Sequence, residues 1–166
     1  MTNQTPYYAL ELAWKALLTP FAVSASILPA NVYVSDTNTT ALHPCLKITT
    51  PNYNEDESVG PGFGVWVADS SIAYETKLSS DQQSAVRANA SFEQVLQGFY
   101  YGTGVPNQFL GPVLASRLNG VGISNFSVYG IRRGIRVQNS VQIQDKLWRK
   151  EIRITVVFLN RLITGS

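Results

Sequence analysis

The chain has 166 residues, enough for one domain with a core that needs no disulfide or metal staple. A net charge of +2 is too mild for a dedicated nucleic-acid binder, and one cysteine and one histidine exclude a disulfide framework and a cysteine-based zinc site. Charged residues make up only 14% of the chain, against about 25% in an average globular domain, which suits a surface partly covered by copies of itself or by partners.

In chain order, Thr5-Pro6 opens a helix, and Leu10, Trp14, Leu17, Leu18 and Phe21 form one apolar stripe along it that Pro20 is expected to end. The uncharged stretch 16–30 is interrupted by Pro20 and Pro29 and is too short to span a bilayer. With no basic start, it also lacks the form of a secretion signal, so a soluble intracellular product is expected. A short strand follows at 31–35, then a polar turn at 36–40. A strand at 42–50 sets Leu42, Leu46 and Ile48 opposite Lys47 and Thr49. Residues 53–64, with Asn54, Glu55, Asp56, Glu57 and Gly60-Pro61-Gly62, read as an exposed acidic hairpin loop. The next strand covers 63–78, with Asp69-Ser70-Ser71 as a candidate bulge.

Ser80, Asp81 and Gln83 begin a second helix carrying Val86, Ala90, Phe92, Val95, Leu96 and Phe99. After a glycine-rich break at 102–111, a short element at 113–118 closes at Asn119-Gly120. In 131–147, Ile131, Ile135, Val137, Val141, Ile143 and Leu147 alternate with Arg132, Arg136, Gln138, Ser140, Gln142, Gln144 and Lys146, which predicts a long strand with one wet face. A turn within 145–150 leads to a last strand, where Ile152, Ile154, Val156 and Phe158 alternate with Glu151, Arg153 and Thr155. The expected class is α+β: an antiparallel sheet with two helices packed on one face and a long C-terminal hairpin, in one domain spanning 1–166.

Catalytic chemistry has little to stand on. His43 and Cys45 are close enough in sequence to share a strand face, but a lone cysteine is more commonly a buried small hydrophobe. The acidic run 54–57 lacks the ligand spacing of a calcium loop, and Gly60-Pro61-Gly62-Phe63-Gly64 matches no phosphate-binding pattern. No cofactor and no metal is implied. The salient charge feature is basic: eight of the 13 Lys and Arg residues lie in the last 35 positions. Of these, Arg132, Arg136, Arg149 and Arg153 are candidates for a lumen- or DNA-facing surface, with Arg132, Arg136 and Lys146 expected on one strand face. The alternative is that they are solvated and paired.

The segments "YETKLSSDQQSAVRANASFEQVL", "RLNGVGISNFSVYGIRRGI" and "QDKLWRKEIRITVVFLN", in that order behind a hydrophobic N-terminal helix, resemble the tail terminator family of long-tailed bacteriophages and related neck proteins. Asp145, Trp148 and the alternating run 152–158 match that family's closing pattern, while the 54–64 loop and the 102–111 break are longer than a minimal member needs. The resemblance implies a non-enzymatic virion protein, made in the host cytoplasm. It would form a ring, commonly a hexamer, that caps the tail tube, ends its polymerisation and meets a head-closure or neck protein, with non-specific DNA contact in the channel and no membrane. Glu55, Asp56, Glu57, Gln138, Gln142, Gln144 and Lys146 are the candidate subunit or tube contacts. A head-closure or connector protein, a small hydrolase or ligand-binding domain, and a nucleic-acid-binding module remain as alternatives.

Overall fold

The computed structural model describes residues 6–35, 40–60, 62–81, 83–101, 109–142 and 146–160, the side chains of 139–142 excepted. Thr5, the 36–39 part of the polar turn, most of the glycine-rich break, Ile143, Gln144, Asp145 and Arg161 lie outside these residues. The described elements are α1 (Tyr8–Ser24), a single 3-10 turn (Pro29–Asn31), β1 (Val32–Val34), β2 (Cys45–Glu55), β3 (Val65–Lys77), α2 (Ser84–Tyr100), α3 (Gly111–Asn119), β4 (Phe126–Gln142) and β5 (Leu147–Asn160). The strands form one sheet in the order β1-β2-β3-β5-β4, so the fold is α+β as expected. Two details differ from expectation. The 113–118 segment is a full third helix, started by Pro112 in its first turn, and β1 pairs parallel to β2, which makes the sheet mixed.

Period-two alternation sorts the two central strands cleanly. Ala68, Ser70, Ile72 and Tyr74 of β3, and Trp148, Ile152, Ile154, Val156 and Phe158 of β5, face the helices and are buried. Leu46 and Ile48 of β2 extend this face, and Leu10, Trp14 and Leu18 of α1, Phe92, Val95 and Phe99 of α2, and Leu114 and Leu118 of α3 close over it. At the centre, the Trp14 ring lies 5.3 Å from that of Phe99. Its indole Nε1–H donates to Ser70 Oγ at 2.9 Å, satisfying both polar atoms where no water reaches.

Pro20 does not end α1, which runs four residues further, to Ser24. An interior proline forfeits one backbone bond and costs about 3 kcal/mol. Burial of Leu17 and Leu18 before it and Ala22 after it keeps the helix going. Helix α2 can pass close because of Gly98, where a Cβ would come within 2.8 Å of Leu18 Cδ2 and 3.1 Å of Phe21 Cδ2. The periodicity of α2 places Phe92, Val95, Leu96 and Phe99 in the core, whereas Val86 is exposed.

Polar side chains pin the layers at their margins. Glu11, buried on α1, accepts from the Ser35 amide and hydroxyl at 2.8 Å each and from Thr50 Oγ1 at 2.6 Å, holding the end of β1 and the middle of β2 against the helix. Asn119 at the end of α3 takes both backbone groups of Val128, accepting at 2.6 Å and donating at 3.1 Å. Lys150 reaches from β5 to Asn89 of α2 at 2.6 Å, its ammonium over the Phe92 and Trp148 rings.

The strands carry irregularities that alternation alone does not reveal. The bulge near Asp69-Ser70-Ser71 has its extra residue on β2, between Thr49 and Asn52. On β4, register shifts at Val128/Gly130, Ile131/Arg133 and Arg133/Arg136 each add a residue relative to β5. The predicted regular strand is therefore bent and edge-placed. Ile131 and Ile135 are half-buried and Val137 is exposed, so the expected apolar face of β4 is only partly used.

The Trp14–Ser70 contact gives the first test. Trp14→Phe should lower unfolding free energy by about 2–4 kcal/mol in urea denaturation, through lost volume and a stranded hydroxyl. Adding Ser70→Ala should recover part of that loss. Strict additivity of the two substitutions would show that the hydrogen bond carries no weight.

Candidate functional site

The second face of the sheet, away from the helices, is built from the opposite parity: Cys45 and Lys47 of β2; Asp69, Ser71, Ala73 and Glu75 of β3; Arg149, Glu151, Arg153 and Thr155 of β5. Cross-strand register sets Glu75 between Cys45 and Arg149, Ser71 beside Arg153, and Asp69 beside Thr155. The result is a lattice of alternating charge. Glu75 takes Lys47 at 3.0 Å and Arg149 at 3.8 Å. Glu151 takes Arg149 at 3.0 Å, Arg153 at 2.7 Å and the Ser71 hydroxyl at 2.6 Å. Asp69 accepts from Thr155 Oγ1 at 2.6 Å and lies 3.6 Å from Arg136, which crosses from β4.

The acids lie at the base of this lattice and the cations arch over them. Glu75 and Glu151 are buried, at 4% and 6% exposure, while the arginine and lysine side chains keep 32–40% of their surface in solvent. Burial opposes ionisation of Glu151, but the hydrogen bonds from Ser71, Arg153 and Arg149 outweigh it and hold the carboxyl below the usual glutamate range. The paired face presents a nearly balanced, rigid surface with a much weaker positive field than the count of arginines suggests.

The sequence-predicted residues separate into distinct settings. Arg132, Arg136, Arg149 and Arg153 are all ion-paired, Arg132 to Asp56 at 3.0 Å. Asp56 is buried rather than presented to solvent. It also accepts from the amide and hydroxyl of Ser58, at 3.0 and 2.7 Å, and these bonds, with Arg132 adding to them, lower its carboxyl from the usual range. Glu57 is exposed and Glu55 half-buried at the end of β2. Gln138 is exposed opposite Glu151, and Gln142 ends β4 opposite Leu147, its side chain outside the described residues like the whole of Gln144. Lys146 does not continue the strand face of Arg132 and Arg136. It sits in the turn at φ 52°, where its carbonyl accepts the Leu78 amide at 2.7 Å. Sequence reading missed the acids Asp69, Glu75 and Glu151 that neutralise the arginines. The alternation of β5 marks Glu151 as outward, but its partners depend on register.

His43 and Cys45 do not form a catalytic pair. His43 precedes the strand, and its Nε2 lies 3.7 Å from Glu75 Oε1. Cys45 is fully buried, and burial, reinforced by Glu75 and opposed by Lys47, pushes its thiol up to about 11, the reverse of an activated nucleophile. The groove beside it, lined by Leu42, His43, Pro44, Thr76 and Lys77, is shallow and open.

The sequence matches no protein-family model and no curated protein. The fold is similar to that of a chain in the virion of a native gene transfer agent particle, with a TM-score of 0.54 and 14% identity over 91% of this chain and 95% of that one. At this identity the likeness is one of fold, and it spans nearly the whole of both chains.

Two measurements probe this face. Because the folded state favours the Glu151 carboxylate more than the unfolded chain does, its stabilising contribution is complete above the ordinary glutamate range and is lost as pH falls through the lower folded-state value. Glu151→Gln should therefore cost about 1–3 kcal/mol at pH 7, with the gap from wild type closing below about pH 4; a gap independent of pH would rule out the ionic role. At pH 8, Cys45 should alkylate on the order of 100-fold more slowly in the folded protein than in urea, and equal rates would show an accessible thiol that burial does not suppress.

Proposed function

We propose that this chain is a structural protein of a virion, forming a ring at the head-proximal end of a phage-type tail, where it ends tube polymerisation and joins the tail to the neck. The observation that carries the reading is the near-complete overlap of its fold with a chain of the gene transfer agent virion. The family resemblance of the C-terminal segments gives the finer tail-terminator role.

The geometry suits assembly. A single plate with a helical layer on one side and a stiff ionic face on the other presents different surfaces to a neighbour, to a tube and to a neck protein, and contacts between unlike surfaces close by rotation into rings. The paired arginines of the open face fit a surface past which DNA slides with weak, non-specific contact, since few of their charges are left to release counterions. The β4 edge, with its added residues and Arg132 and Arg133, resists indiscriminate edge-to-edge pairing. A head-closure or connector role would use the same plate and is distinguished by binding portal rather than tube.

Native mass spectrometry across a concentration series tests the ring. A closed oligomer, six-fold for the tail-terminator reading, is expected, together with binding to purified tail tube. A chain that stays monomeric at every concentration and ignores the tube would overturn it.

A further inference from the structure

The helical layer holds an open apolar cleft of about 600 Å³, lined by Leu17, Pro20, Phe21, Tyr101, Arg117 and Val121. Arg117 is unusual there. Its guanidinium lies over the Phe21 ring at 5.7 Å and the Tyr101 ring at 5.0 Å, and it donates to the carbonyls of Gly98 at 2.5 Å and Tyr101 at 3.3 Å. Among the described residues no carboxylate pairs with it, whereas the arginines of the ionic face at 132, 136, 149 and 153 each have one. A half-buried cation at the mouth of an aromatic cleft favours an occupant that brings an apolar side chain and a negative charge together.

The chain carries such a group on the turn between β2 and β3. Asp56 anchors that turn from within. Its amide donates to the Val65 carbonyl at 2.9 Å, its own carbonyl accepts from Val59 and Gly60 at 3.2 Å each, and its carboxylate holds Arg132. Gly60, Gly62 and Gly64 supply the positive-φ steps that bring the chain back to β3. Held in this way, Phe63 projects at 65% exposure, with Val59 at 45% and an exposed Glu57 that has no ion pair among the described residues.

We infer that the β2–β3 turn of one copy docks into the helical cleft of a neighbouring copy, Phe63 packing into the cleft against Leu17, Pro20 and Val121 beside the Phe21–Tyr101 ring pair, whose centroids lie 5.8 Å apart, and Glu57 meeting Arg117. Complementary charge and the matching aromatic chemistry of the two surfaces select a second copy of this chain as the occupant. The contact joins unlike surfaces, so it is head-to-tail, and repeated around a rotation axis it closes a ring. This rests on the ring reading above and names the contact that would hold it.

Two variants separate the surfaces without touching the core. The pair Phe63→Ala with Glu57→Lys removes the knob. Gly120→Glu sets a carboxylate at the cleft mouth, where a Cβ would meet only the Arg117 and Ser116 carbonyls, at 3.4 and 3.5 Å, and the backbone φ of −73° accepts any residue. Native mass spectrometry should find each variant reduced to a single chain. Mixed, the two should form a 1:1 dimer, since one intact knob and one intact cleft remain between them. Circular dichroism should show both folded. Variants that keep the wild-type oligomer, or a mixture no heavier than its parts, would overturn the contact while leaving the ring reading standing, and would assign the cleft to a partner of different sequence. A wild type that is monomeric at every concentration and ignores the tail tube would overturn both.

Discussion

Trp14 lies where the three layers of contact meet: the middle of α1, the face of α2 at Phe99, and the centre of β3 at Ser70. An indole buried this deeply brings a large apolar surface and one obligatory donor, and the helix can sit on the sheet only in the register where that donor finds Ser70. That register decides which turn of α1 faces Gly98 of α2, and so how closely the two helices approach. It also sets Glu11 over Ser35 and Thr50. The placement of the cleft beside Phe21 follows from the same docking, since Phe21 lies two turns further along the same helix.

The sheet that α1 covers has two faces of opposite chemistry, and the division is strict only on β3 and β5. There the pairing is continuous over the whole overlap, so the odd positions from Asp69 to Glu75 and from Arg149 to Thr155 are polar or small on one side, and the even positions between them on the other are apolar apart from Ser70 and Lys150, which α1 and α2 satisfy. Glu75 and Glu151 can be buried because each is ringed by cations and hydrogen-bond donors, Glu75 by Lys47 and Arg149 of the strands on either side, Glu151 by Arg149 and Arg153 of its own strand and Ser71 of β3. Removing one partner from such an arrangement leaves an unbalanced charge, so the lattice stiffens the face more than it adds net stability. In the proposed ring, such stiffness would limit the errors of angle that accumulate around a closed circle.

The margins of the plate carry the features suited to contact. The β2–β3 turn is fixed from inside by Asp56 and capped outside by Phe63, and the cleft by Arg117 opens on the other layer. The same pattern recurs in both: a polar group held by the fold's own backbone and an apolar group left uncovered. Exposed aromatics are unfavourable in isolation, and their placement on a pinned turn, rather than scattered over the surface, sets them apart from incidental surface hydrophobes.

Local patterns in the sequence carry the helical stripe of α1, the core positions of α2, the alternation of β5 and the α+β class, because each depends on periodicities of 3.6 or 2 within one segment. They also suffice to place Glu57 outside and to mark the C-terminal arginines as a group. Tertiary structure decided the rest. Pro20 is absorbed because burial on both sides of it outweighs one lost bond. The regular alternation of β4 is broken by three added residues whose need arises only when it curves along β5. Asp56 turns inward onto the amide and hydroxyl of Ser58, and Arg132, 76 residues away, closes over it. The acids that neutralise the basic face come from β3 as well as from Glu151 of β5, and no spacing within the sequence announces that Asp69 will lie beside Thr155 or Glu75 beside Arg149. Charges separated by tens of residues interact at a few ångströms, so their sum becomes defined only once the strands have chosen their register.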